Sequence, residues 1–150
     1  MTRGTIAQIR FKIPGRIIPK QSVRTRVLER NGRPFKINGR WATSQYQSPT
    51  VAAFETFVGF IARKYWKGQP PLDGPLFLEL VLRMARPLRP ESPYPDRKPD
   101  WLNLTKPIED AIEHAGLIVN DSRIVDAHVK KFYADARHPE GASVVIGRIM

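Results

Sequence analysis

Between residues 75 and 86, Leu76, Leu78, Leu80, Leu82 and Met84 occupy every second position, with Phe77, Glu79, Val81 and Arg83 between them. A period of two is the repeat of a β-strand that buries one face. A strand of this kind needs sheet partners and a covering layer, so it dictates a sheet with something packed on it. Thr5–Ile13 offers one partner, with Ile9, Phe11 and Ile13 on one side and Arg10 and Lys12 on the other. Arg123–Tyr133 and Ala142–Ile149 read as two more strands.

The covering layer is legible in two segments. Ser48-Pro49 has the form of an N-cap followed by a first helical residue. Val51, Phe54, Val58, Ile61, Ala62 and Tyr65 then recur at helical spacing over 49–66, and Phe57 and Phe60 widen the face expected in the core. Residues 101–115 form a second helix, with Leu104, Ile108, Ala111, Ile112 and Ala115 as its buried stripe and Gly116 just past its end. Asn31-Gly32 and Asn38-Gly39 are type I′ hairpin signals within residues 26–44. Pro87, Pro90, Pro93, Pro95 and Pro99 exclude helix and central strand from 86–99, which reads as a long loop. With no internal repeat and no linker, the 150 residues make one domain: a basic segment 1–44, the Pro-rich loop 86–99, and a polar constellation over 98–133.

Charge narrows the function. The chain carries +11, and residues 1–40 hold eleven Lys and Arg against the single acid Glu29, leaving +1 for the rest. A basic segment of that density suits a polyanion, above all nucleic acid. The absence of cysteine excludes a disulfide scaffold and thiolate metal sites, and three scattered histidines argue against zinc. No apolar run reaches the roughly 18 residues of a membrane span, and Met1–Arg10 lacks the apolar stretch of a signal peptide. A soluble, cytoplasmic protein is expected. Trp41 and Trp66 read as packing or surface anchors, and His114, His128 and His138 show no ligand spacing.

The chemistry concentrates around 98–126. Asn103, Lys106 and Asp110 lie at i, i+3 and i+7 on the second helix, opposite its apolar stripe. Asp100 precedes that helix, and Asp121 stands where the chain turns back into a strand. Two converging carboxylates beside a lysine and an asparagine would suit Mg²⁺ and metal-assisted phosphodiester hydrolysis. The same spacing equally suits an Asp100 that caps a helix and an Asp121 that makes a turn.

Lys98-Pro99-Asp100-Trp101-Leu102-Asn103-Leu104-Thr105-Lys106, then Asp110-Ala111-Ile112, then Asn120-Asp121-Ser122-Arg123-Ile124-Val125, resembles the signature of the RusA family of Holliday junction resolvases. These are small, often prophage-encoded endodeoxyribonucleases. The stretch from Ile13-Pro14 to Arg24-Thr25-Arg26 is similar, more loosely, to the family's early basic segment. The resemblance implies an α+β fold, a small mixed sheet of about four strands packed by two helices, and a homodimer. It implies Asp100 and Asp121 as Mg²⁺ ligands, with Asn103, Lys106 and Asp110 completing the catalytic set. Lys20, Arg24, Arg26, Arg97, Lys98 and Lys106 are then the expected contacts to branched DNA.

Two positions depart from the pattern: Asn120 replaces the first aspartate of the family's Asp-Asp pair, and the departure at residue 102 is the serious one. Leu102 stands where the family has a second aspartate, and leucine cannot ligate a metal. Another acid can take that place (Asp110, Asp126, Glu79 and Glu109 are the candidates), the enzyme can work with fewer carboxylates, or the chain binds branched DNA without cutting it. The expectation is a Mg²⁺-dependent four-way-junction endonuclease of DNA recombination and repair, with a non-cutting junction-binding module as the alternative.

Overall fold

A computed structural model describes residues 8–20, 24–46 and 48–149, with the backbone alone at Arg24. Strand β1 (Gln8–Pro14) buries Ile9, Phe11 and Ile13 and exposes Gln8, Arg10 and Lys12, as the alternation requires. Its expected start at Thr5 lies outside the described residues. Six short strands follow: β2 (Arg24–Val27), β3 (Glu29–Arg30), β4 (Arg33–Pro34), β5 (Lys36–Ile37), β6 (Arg40–Trp41) and β7 (Thr43–Tyr46). Then come α1 (Pro49–Trp66), β8 (Leu76–Met84), α2 (Trp101–His114), a 3-10 turn at Asp121–Arg123, β9 (Ile124–Tyr133) and β10 (Gly141–Arg148).

The main sheet has the order β1-β10-β8-β9. β8 runs parallel to β9, while β10 is antiparallel to both β8 and β1, so the sheet is mixed and the fold is α+β. The parallel pair follows from the connection, because α2 carries the chain from the end of β8 back to the start of β9. Leu76, Leu78, Leu80 and Leu82 of β8 join Ala142, Val144 and Ile146 of β10 and the apolar side of β1 in one core. Helices α1 and α2 add Phe54, Val58, Ala62 and Trp66, and Leu104, Ile108, Ala111 and Ile112.

Two expectations about α1 need correction. Phe57 and Phe60 do not enter the core, Phe60 being 66 % exposed, and Tyr65 is exposed while its ring stacks on Phe11 at 6.0 Å. An 18-residue helix lying on one sheet buries a single stripe, here Val51, Phe54, Val58, Ala62 and Trp66. Phe57 and Phe60 lie off that stripe and stay exposed, and Tyr65 keeps one ring face on Phe11. Ser48 does occupy the N-cap position with Pro49 behind it, but its hydroxyl makes no capping hydrogen bond.

Among the described residues, strands β2 to β7 pair only with one another and build a separate arm. β2 pairs with β7, β3 with β4, and β5 with β6. The two tips lie where the Asn-Gly pairs predict them. Asn31 and Gly32 have φ of 50° and 74°, and Asn38 and Gly39 have 51° and 78°, the left-handed pair a type I′ turn demands. Among the described residues, no helix is long and apolar enough to cross a membrane.

Candidate functional site

Helix α2 presents Asn103, Lys106, Asp110 and Glu113 away from the core because Leu104, Thr105, Pro107, Ile108, Ala111 and Ile112 fill its buried face. Pro107 sits inside this helix and has no N–H to offer the Asn103 carbonyl four residues earlier. That carbonyl instead accepts the backbone N–H of Lys20 at 2.7 Å. A proline within the helix thus creates the point where the basic N-terminal segment docks, and it brings the Lys20 ammonium to Asp110 Oδ2 at 2.7 Å.

The helix ends in a Schellman arrangement, with Gly116 at φ 81° donating to the Glu113 carbonyl and Leu117 donating to that of Ile112. The chain then reverses, with Leu117 and Ile118 buried against Leu72. Asn120 next organises the 3-10 turn: its Oδ1 accepts the Ser122 N–H at 2.9 Å and its Nδ2 donates to Glu113 Oε1 at 2.8 Å. This fold-back sets Asp121 beside the middle of α2. Lys106 Nζ lies 2.5 Å from Asp121 Oδ2 and 3.0 Å from Asp110 Oδ1. Asp110, Glu113 and Asp121 each offer a carboxylate oxygen, and these oxygens lie within 4.8 Å of one another.

The charges hold each other ionised. The hydrogen bond to Asp121 pushes the Lys106 ammonium well above its ordinary value despite desolvation, and Asp110 adds to the rise. Burial alone would push Asp110 up, but the hydrogen bonds from Lys20 and Lys106 outweigh it and hold the carboxyl below its usual range. Glu109 is raised by burial, which outweighs the attraction of Lys106. A carboxyl whose folded value is depressed contributes stability above its unfolded value, and that contribution is lost as pH falls. The urea midpoint should therefore drop as pH is lowered through about 4, and Asp110→Asn should flatten this dependence between pH 5 and 2.

The expected partner of Asp121 was Asp100, and the structure assembles a different group. Asp100 is the exposed N-cap of α2, about 15 Å of helix rise from Asp110. It borders a groove with Arg97, Lys98, Trp101, Leu102 and Lys131. Leu102, 61 % exposed, lines that groove as an apolar side chain. Of the acids considered as its substitute, Asp110 belongs to the carboxylate group and Glu109 is a charged neighbour of it. Asp126 instead lies on β9 beside His128 at 3.1 Å, and Glu79 projects from the exposed side of β8. Glu113 was missed by sequence reasoning. The available signal was its spacing, three residues beyond Asp110 and seven beyond Lys106 on one helix face.

The expected DNA-contacting residues divide among several places. Lys20 and Lys106 are engaged with carboxylates. Arg24 lies in β2, and Arg26 bonds Ser44 Oγ at 3.1 Å and lies 5.7 Å over the Tyr46 ring. Arg97 pairs with Glu91, and with Lys98 it lines a groove of about 380 Å³ that also gathers Arg16, Arg83, Arg86 and Lys131. Lys131 Nζ donates to the carbonyls of Arg97 at 3.2 Å and Pro99 at 2.9 Å, tying the Pro-rich loop to β9 at the mouth of α2. Arg16, Arg83 with Arg86, and Lys131 come from three separate parts of the chain, so local sequence does not reveal the groove.

A family profile described as Endodeoxyribonuclease RusA matches residues 17–142 of the 150. The chain belongs to the RusA family. The RusA match takes in the arm, both helices, the carboxylate group and the basic groove except Arg16, and leaves out β1 and most of β10. Membership implies the nuclease activity of Holliday junction resolvases and binding to branched DNA. RusA nucleases are metal-dependent in general, and Asp110, Glu113 and Asp121 form an all-oxygen acidic group of the kind hard cations take. No curated protein matches the chain.

Proposed function

We propose that this protein is a Mg²⁺-dependent, structure-specific endodeoxyribonuclease that resolves four-way DNA junctions, acting as a homodimer in the cytoplasm during recombination and repair. The observation that carries the reading is Asp121 folded back beside Asp110, Glu113 and Lys106 in a RusA chain. Asp110, Glu113 and Asp121 would hold the cation. Once bound, it supplies Lewis acidity at the phosphate and a more acidic water.

The chain's own residues do the rest. Lys106, fully charged through its two carboxylate partners, presents its ammonium to the oxygens on which charge grows as the phosphodiester breaks. Lys20 keeps Asp110 ionised and anchors the basic segment to α2. Asn103 and Asp100 face the DNA from the first turn of α2. The basic groove and the arm grip phosphates, which positions the duplex arms without reading bases. Two-fold symmetry would put one site on each of two opposed strands.

A second reading has its own support. Leu102 replaces a carboxylate and Asp100 stands outside the acidic group, which favours a module that binds junctions without cutting them. A labelled four-way junction incubated with and without Mg²⁺, beside a linear duplex, separates the two. Paired symmetric nicks that require the metal and spare the duplex are the expected result. Tight junction binding with no nick at any Mg²⁺ concentration would overturn the nuclease and leave the binding module.

A further inference from the structure

The arm has two tips of different chemistry. Beside Asn31-Gly32, the paired residues are Arg30 and Arg33, both exposed. The Arg30 guanidinium lies 4.5 Å over the Phe35 ring, which props the charge in place. Beside Asn38-Gly39, the paired residues are Ile37 with Arg40 and Lys36 with Trp41. Residues paired across a hairpin share a face and successive residues alternate, so each face of this second tip carries one apolar side chain and one cation. Lys36 Nζ sits 4.7 Å over the Trp41 ring. Ile37 and Trp41 are nevertheless 57 % and 55 % exposed.

An isoleucine and a tryptophan left in water on a short ribbon forgo burial that the core provides to residues of their kind. Their neighbours identify what would cover them. Residues 24–46 carry six Lys and Arg against Glu29, a balance that selects a polyanion with apolar planes to offer. Nucleic acid has both, a phosphate backbone and base faces. In a continuous duplex those faces are covered by stacking, whereas at a branch point the stack is interrupted. Apolar side chains flanked by cations are the type that enters such a step.

Resting on the junction-nuclease reading above, we infer that the arm recognises the branch point itself. Ile37 and Trp41 of the second tip pack against an unstacked base step at the branch, and Arg30 and Arg33 of the first tip hold phosphates.

Binding of the full-length protein to a fluorescent four-way junction and to a linear duplex, without divalent metal and across a salt series, tests this. Arg30→Ser with Arg33→Ser should reduce the magnitude of the log affinity against log salt slope by about 2, equally on both DNAs. Ile37→Ser with Trp41→Ser should leave that slope unchanged and cut the junction-over-duplex preference about tenfold. Ile37→Val with Trp41→Phe should restore most of the preference. A 2-aminopurine at the branch should brighten with the unaltered protein and not with the double-serine variant. Equal weakening on both DNAs, or an unchanged preference, would overturn the inference. So would a failure of the valine–phenylalanine variant to restore the preference, or an unaltered protein that does not distinguish junction from duplex. Failure of the nuclease reading shows separately, as absence of metal-dependent cutting by a protein that still prefers the junction.

Discussion

Asp121→Asn should lower the rate of junction cleavage by about 10²- to 10³-fold while leaving junction binding intact or slightly tighter. The carboxylate it removes is hydrogen-bonded to Lys106 and is one of three whose oxygens lie within 4.8 Å of each other. Loss of a negative charge near bound phosphate favours binding, so a fall in cutting alone marks a chemical role. Lys106 keeps Asp110 at 3.0 Å in the variant, and Asp110 keeps Lys20, so no ammonium is left unpaired and the fold should survive. The informative comparison is Asp100→Asn. Asp100 lies outside the acidic group, beside the basic groove, so its loss should cost less than that of Asp121. Rates from both variants under single-turnover conditions check this. Equal, large losses would show that DNA brings Asp100 into the reacting group, and no loss at Asp121 would remove Asp121 from the catalytic group.

Gly141→Ala should cost about 3 kcal/mol of stability and lower the melting temperature by about 10 °C. Gly141 opens β10 at φ 149°, a conformation that residues with a side chain rarely adopt. A methyl group there would collide with the carbonyl oxygen of Ile13, and backbone cannot swing aside as a long side chain can. The register pairs Gly141 with Pro14, and Gly15 N–H bonds the Glu140 carbonyl at 3.1 Å, so the substitution strikes where β1 leaves the sheet. From that point the chain runs through Arg16 at the basic groove to Lys20 at Asp110, so the damage should reach junction affinity as well. Thermal melts of the two proteins decide it. A loss below about 1 kcal/mol would mean that β1 shifts away from β10 without resistance.

Much of the molecule was legible because its signals are local. Alternation at Leu76–Met84 and Ile9–Ile13 specifies strands and their buried faces through the two-residue period alone. The Asn-Gly pairs require left-handed backbone, and Gly116 ends α2, because few other residues tolerate those angles. The signature over 98–125 pointed to the right family and the right helix. Selection among apolar residues was not legible on α1. Phe57 and Phe54 are chemically alike, and only contact with the sheet and α2 chose Phe54 for the core.

The assembly of the site belongs to the tertiary structure for a related reason. Pro107 and Lys20 are 87 residues apart, and the carbonyl that joins them is made available by a hydrogen bond the helix cannot form. Glu113 becomes a partner of Asp121 only because the chain reverses at Gly116 and Asn120 turns it back. Strand order is of the same kind. The segment after Tyr133 crosses the end of β8, with Ala134 N–H on the Met84 carbonyl at 2.7 Å, so β10 pairs with β8 and β1 rather than with β9. The sequence by itself determined the main strands and both helices, the buried faces of the strands and of α2, the basic character and the family. Which carboxylates share a lysine, which cations share a groove and which strands touch were decided by packing, since each depends on residues distant in the chain meeting at a surface that none of them defines alone.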